Sequence, residues 1–150
     1  MALHISEILD AIAALTVTGL TILDADQIPV EMTQRDCPVL FPRPDEFITD
    51  FTSERQSFGP ASAAARDVTY TLNFILAYAP VGTGRGIFEP YKNMLVLAYK
   101  VIDAIHADDD LSDYGLDVTA RIGNVGLVSS PGGAQYHGCV ISFDILELVN

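Results

Sequence analysis

An α+β fold, a mostly antiparallel β-sheet packed with two α-helices, follows from three features of the sequence. Residues 5–15 and about 87–107 carry apolar side chains at helical spacing. Residues 67–79 alternate apolar and polar side chains, as a strand with one core-facing side does. Two further alternating segments, 116–128 and 136–149, flank the turn Ser129-Ser130-Pro131-Gly132-Gly133 and so form a hairpin. Hairpin-joined strands packed by two helices give an α+β sandwich, in contrast to the strict alternation of an α/β chain.

The first helix places Ile5, Ile8, Leu9, Ile12 and Leu15 on one face, with Glu7 and Asp10 on another; Gly19 follows it. Leu20–Leu23 reads as a short strand. The run Asp36-Cys37-Pro38-Val39-Leu40-Phe41-Pro42-Arg43-Pro44-Asp45 holds three prolines. Because proline lacks an N–H and restricts its predecessor, the run is expected to be an edge strand or an extended connector. Phe47, Ile48 and Phe51 then serve as an apolar anchor. Residues 52–66 are poor in bulky apolar groups and read as an exposed loop between strands, or as a segment that orders on meeting a partner.

The strand over 67–79 turns Val68, Tyr70, Leu72, Phe74, Leu76 and Tyr78 to one side and exceeds the usual strand length. Strands this long often belong to a sheet that continues beyond the monomer. In the second helix Tyr91, Met94, Leu95, Ala98, Val101, Ile102 and Ile105 form the apolar stripe. Pro90 lies in its first turn, where a missing N–H costs nothing, and Asp108-Asp109-Asp110 ends it. Val118, Ala120 and Ile122 share a side of the next strand. The last strand points Cys139, Ile141, Phe143 and Ile145 one way, and Ser142 and Asp144 the other.

At 150 residues the chain fits one domain; a chain of this size buries about 70% of the surface it exposes when unfolded. No apolar run approaches the ~20 residues that span a bilayer, and the start Met1-Ala2-Leu3-His4 lacks the positive region of a signal peptide. Eight Lys and Arg against twenty Asp and Glu give a formal charge of −12, which repels nucleic-acid phosphates and anionic lipid. Capture of DNA or of a membrane surface is thus disfavoured. The two cysteines, Cys37 and Cys139, are far apart and form no Cys-x-x-Cys pair, so a reducing compartment is expected, with Cys139 a buried small hydrophobe.

Motifs for chemistry fall short. Gly82-Thr83-Gly84-Arg85-Gly86 lies between strand and helix, where a phosphate loop would sit, but Ile87-Phe88 stand where a P-loop needs Lys-Ser/Thr. Asp108-Asp109-Asp110-Leu111-Ser112-Asp113 opens like a calcium loop, yet its sixth position is Asp113 rather than Gly and its twelfth is Thr119 rather than Glu. His4, His106 and His137 share no ligand spacing, and no Ser or Cys stands in a nucleophile-elbow context. No catalytic, cofactor or metal residue is therefore expected. Arg55, Phe58, Arg66 and Arg85 are the expected contact residues, since Arg and aromatics are enriched at interfaces.

In the order of its elements the chain resembles the tail terminator proteins of long-tailed bacteriophages. The resemblance covers nearly the full length. It rests on the helix Ile5 to Leu15, the Pro-bounded run Val39-Leu40-Phe41-Pro42, the strand Val68 to Tyr78, the helix Ile87 to Ala107, and the strand opening Tyr136-His137-Gly138-Cys139-Val140-Ile141. It implies a structural virion protein, not an enzyme, needing no cofactor and found in the tail and neck after assembly in the bacterial cytoplasm. Such subunits form a ring, usually a hexamer, on the head-proximal end of the tail tube. The ring stops polymerisation of the tube protein and joins it to the head connector or stopper, while genomic DNA passes through the lumen without specific binding. A head–tail connector or head-completion subunit is the alternative within this class. A small ligand-binding or enzymatic domain built on the Gly82–Gly86 turn is the alternative outside it.

Overall fold

The computed structural model describes residues 3–24, 38–55, 66–81, 88–107, 116–129 and 133–149. Its elements are α1 (Ile5–Ala13), β1 (Thr21–Ile22), β2 (Val39–Pro42), β3 (Ile48–Arg55), β4 (Arg66–Pro80), α2 (Phe88–His106), β5 (Leu116–Ser129) and β6 (Gln135–Val149). Two helices on a mostly antiparallel sheet make the fold α+β, as the periodicities predict. Six strands form one sheet in the order β1-β2-β4-β6-β5, with β3 also paired to β4. The one parallel pair is β1 with β2.

β4 and β6 are the spine. They pair antiparallel from Arg66 opposite Val149 to Pro80 opposite Tyr136. The odd residues Cys139, Ile141, Phe143 and Ile145 of β6 share a face with Val68, Tyr70, Leu72, Phe74 and Leu76 of β4, and all are buried in the main core. Both helices cover this face. α1 contributes Ile8 and Ile12, and α2 contributes Met94, Leu97, Ala98, Val101 and Ile105. Phe74 sits between Phe47 and Phe143, meeting each edge-on at centroid distances of 6.0 and 5.4 Å, the arrangement aromatic quadrupoles favour.

The opposite face is not left to solvent along its whole length. Val39, Phe41, Ile75, Ala77 and Tyr136 form a second, smaller core there. This corrects the expectation for the Pro-bounded run. β2 lies between β1 and β4 rather than at an edge, and all four of its residues are buried. Its prolines allow this because they sit at the ends. Pro38 precedes the strand and offers its carbonyl to the Thr21 N–H, Pro42 is the last strand residue, opposite Phe74, and Pro44 comes after it.

The reading of 52–66 as a loop is also corrected. Thr52–Arg55 belong to β3 and Arg66 opens β4, with Thr52 opposite Thr69 and Arg55 opposite Arg66. Backbone pairing holds this segment, and backbone pairing needs no apolar side chains. Residues 56–65 lie outside the described residues. Between Thr49 and Thr52 the ladder shifts by one; Asp50 there takes φ 55°, a left-handed conformation that Asp tolerates better than most residues. The bulge turns Phe51 back onto the core-facing side of the sheet.

Asn73 joins β2 to β3 along the edge of β4. Its N–H donates to the Phe47 carbonyl, and its own carbonyl accepts from the Arg43 N–H. Its side-chain amide donates to the Glu46 carbonyl and the Thr49 hydroxyl, both at 3.0 Å, and its Oδ1 accepts from Ser142 Oγ at 2.8 Å. One side chain thus satisfies a junction that the ladder alone leaves open.

Candidate interaction surfaces and a buried carboxylate

Arg66 is exposed at the start of β4, and the backbone of Arg55 stands opposite it at the end of β3. The pairing of β3 with β4 therefore brings two of the four expected contact residues to one end of the sheet. Phe58 and Arg85 lie outside the described residues, as do the Gly82–Gly86 turn, Cys37 and the acidic run 108–113.

Two surfaces look outward with more apolar character than the sequence suggested. On α2, Leu95, Val96 and Tyr99 are exposed, Tyr99 to 61%. Leu95 was expected in the buried stripe, but Leu97 occupies the core instead, because the helix is rotated so that the 94-97-98-101-105 row faces the sheet. The second surface is β5. It pairs with β6 on one side and with no strand on the other among the described residues, so one margin of a 14-residue strand is an edge. Val125 and Leu127 on this strand are 47% and 57% exposed.

His106, expected only as a helix-end residue, reaches this edge. Its Nε2 accepts the Ala120 N–H at 3.1 Å. The Ala120 N–H therefore points away from β6, and by the alternation of an antiparallel ladder so do those of Val118 and Ile122. α2 thus caps the edge at Ala120. His137, expected as a strand-start residue, is buried and meets Tyr91, whose hydroxyl lies 3.1 Å from His137 Nδ1.

Sequence reasoning missed the buried acid. Glu147 follows Ile145 on the core-facing side of β6 and is wholly inaccessible. Its Oε1 accepts the His4 backbone N–H at 2.7 Å and faces His4 Nδ1 at 2.6 Å; its Oε2 accepts the Tyr70 hydroxyl at 3.0 Å. Burial, the negative charge of Glu147 and the hydrogen bond to it hold the Tyr70 phenol well above its ordinary range, so Tyr70 is the donor. Phe51 closes the outside, stacked on Tyr70 at 5.4 Å between centroids. The signal was present: a Glu at a core-facing parity among Ile145, Glu147 and Val149 is out of place unless paired.

The opposite face carries a second polar cluster. Asp144 accepts from Thr71 Oγ1 at 2.7 Å and from Arg121 Nε at 2.7 Å. Burial pushes its carboxyl upward, but the Arg121 hydrogen bond, the Thr71 hydroxyl and the Arg121 charge outweigh that and leave it below the ordinary carboxylate range. Thr52 and Thr69 share a further hydrogen bond on this side. Cys139 is fully buried, as expected, and burial pushes its thiol up to about 12.

A depression of about 400 Å³ is lined in part by Arg43, Asp45, Asn124 and Leu127, but Arg43 is already engaged by Asp45 and Glu46. Another of about 470 Å³ includes Tyr78, Asn93 and Lys100. No group of three or more His, Cys, Asp or Glu able to hold a metal ion occurs among the described residues. No described helix is long and apolar enough to cross a membrane. No family model matches the chain, and no curated protein matches it.

Proposed function

We propose that this chain is the subunit of a ring that ends a tubular assembly, the tail terminator of a long-tailed bacteriophage. The observation that carries the reading is the edge of β5. A 14-residue strand whose second margin meets no strand among the described residues, with exposed Val125 and Leu127, suits a contact in which one subunit's sheet meets the next. A heterologous contact of this kind closes into a ring when its rotation closes. The exposed Leu95, Val96 and Tyr99 of α2 offer a second contact, toward the tube or the connector. The charge of −12 suits a lumen through which DNA slides without sticking.

Light scattering of the purified protein over a concentration series tests the reading. A discrete closed oligomer near six chains is expected, and Leu127→Lys is expected to reduce it to monomers with the wild-type far-UV circular dichroism, melting lower because the stabilisation by assembly is lost. A strict monomer both alone and in the presence of tail tubes overturns the proposal.

A further inference from the structure

α1 is fixed at its start by a side chain of the sheet. The helix has nine residues, too few to persist alone in water. Its N-cap residue, His4, makes no side-chain capping bond to the helix, and its last turn has no basic residue to offset the dipole. Ile8 and Ile12 of the helix are fully buried, while Ile5, Leu9 and Ala11 pack on the core and stay partly exposed. What fixes its start is Glu147, which receives both the backbone N–H and the imidazole Nδ1 of His4. The carboxylate also stands at the positive end of the helix, where a negative charge is favourable.

Glu147 itself belongs to the rigid part of the molecule. It lies on β6 opposite Val68 of β4 and Leu116 of β5, and its other oxygen accepts from the buried Tyr70. One end of the contact is thus on the paired sheet, and the other is at the start of a short helix that lays Ile5, Ile8, Leu9, Ala11 and Ile12 on the core. Glu7 is a further charged group near this cluster; its charge helps to raise the Tyr70 phenol.

We infer that α1 is a strap that opens as a unit separate from the sheet, and that Glu147 is the latch that holds it shut. Elements with few buried apolar contacts open locally at a lower free energy than the core they cover. A Gln in place of Glu147 carries no charge and has one acceptor oxygen where the carboxylate has two, so a buried donor that it now satisfies is left unpaired. Opening uncovers the apolar floor beneath Ile8 and Ile12 at the Tyr70 end of the sheet and frees the first residues of the chain for another contact.

Hydrogen exchange read by mass spectrometry on the full-length protein tests this. In Glu147→Gln, amides of residues 5–13 are expected to exchange roughly tenfold faster or more, while those of β4, β5 and β6 keep their protection. His4→Ala lies outside the sheet and carries the test should Glu147→Gln fail to fold; it is expected to speed the same segment by a smaller factor, because the backbone N–H still reaches the carboxylate. Tyr70→Phe, which leaves both His4 contacts in place, is expected not to speed α1 selectively. Unchanged exchange over 5–13 in the variants that fold overturns the latch. So does acceleration spread equally over α1 and the three long strands, which would make α1 part of one cooperative unit.

Discussion

Gly138 shows how a single residue sets the packing of the spine. A Cβ built there would lie 2.1 Å from the Leu76 carbonyl oxygen and 2.7 Å from a Val128 methyl, distances that force the backbone to move. Gly138→Ala is expected to cost about 1–3 kcal/mol or more, measured by urea denaturation. A neutral substitution would mean that β4 shifts freely at the register change between Ala77 and Ala79. The sequence offered an aromatic-x-Gly step at Tyr136–Gly138 as a pattern, and close approach of the strands is its physical reason. Asp144 gives a pH prediction. Its folded carboxyl is held below the ordinary range by Arg121 and Thr71 against the push of burial. Its contribution to stability is therefore complete above the usual carboxylate pKa of about 3.9 and is lost as pH falls through the lowered folded value. Below about pH 4 the melting temperature of the wild type should fall more steeply with acid than that of Asp144→Asn. Parallel curves would mean the contact with Arg121 has no thermodynamic weight, as for many exposed ion pairs.

Among the elements, those with a strong period were legible and those held by backbone pairing were not. β4, β6 and both helices are found within a residue or two of where their patterns place them, because each has one face against a core. β3 carries the polar run Thr52-Ser53-Glu54-Arg55 and announces itself only through its pairing with β4. β2 was misplaced at an edge because proline was weighed without its position in the strand. The junction of these two strands on β4 depends on Asn73. Its replacement by Ala strands the Ser142 hydroxyl and the Glu46 carbonyl, both now satisfied. The expected cost is about 1–3 kcal/mol, with loss of amide protection in β3 before β4 and β6. Equal loss in all three strands would show that Asn73 serves the whole sheet and not the junction. The edge of β5 was equally invisible, since alternation reports which face of a strand is buried and not whether a neighbour lies beside it. His106 on the Ala120 N–H is a contact from helix end to strand edge that no local spacing encodes.

For the whole molecule, charge sets the condition for assembly. Subunits of charge −12 repel one another, so the proposed ring should gain population as salt shortens the Debye length from about 30 Å to about 8 Å. Sedimentation across that range checks this, and an oligomer that dissolves with added salt would point to contacts dominated by opposite charges. The fold class, the two helices, the three long strands and the buried state of Cys139 are legible in the residue order alone. Each of these depends on a local period of apolar residues, and a period is written in the order of the residues. That β2 is interior, that the polar segment after Asp50 is a strand, that one margin of β5 meets no strand among the described residues, and that Glu147 closes over His4 and Tyr70 are visible in the packed molecule and not in the residue order. These depend on which segments distant in sequence become neighbours, and that is set by the packing of the whole sheet against its helices.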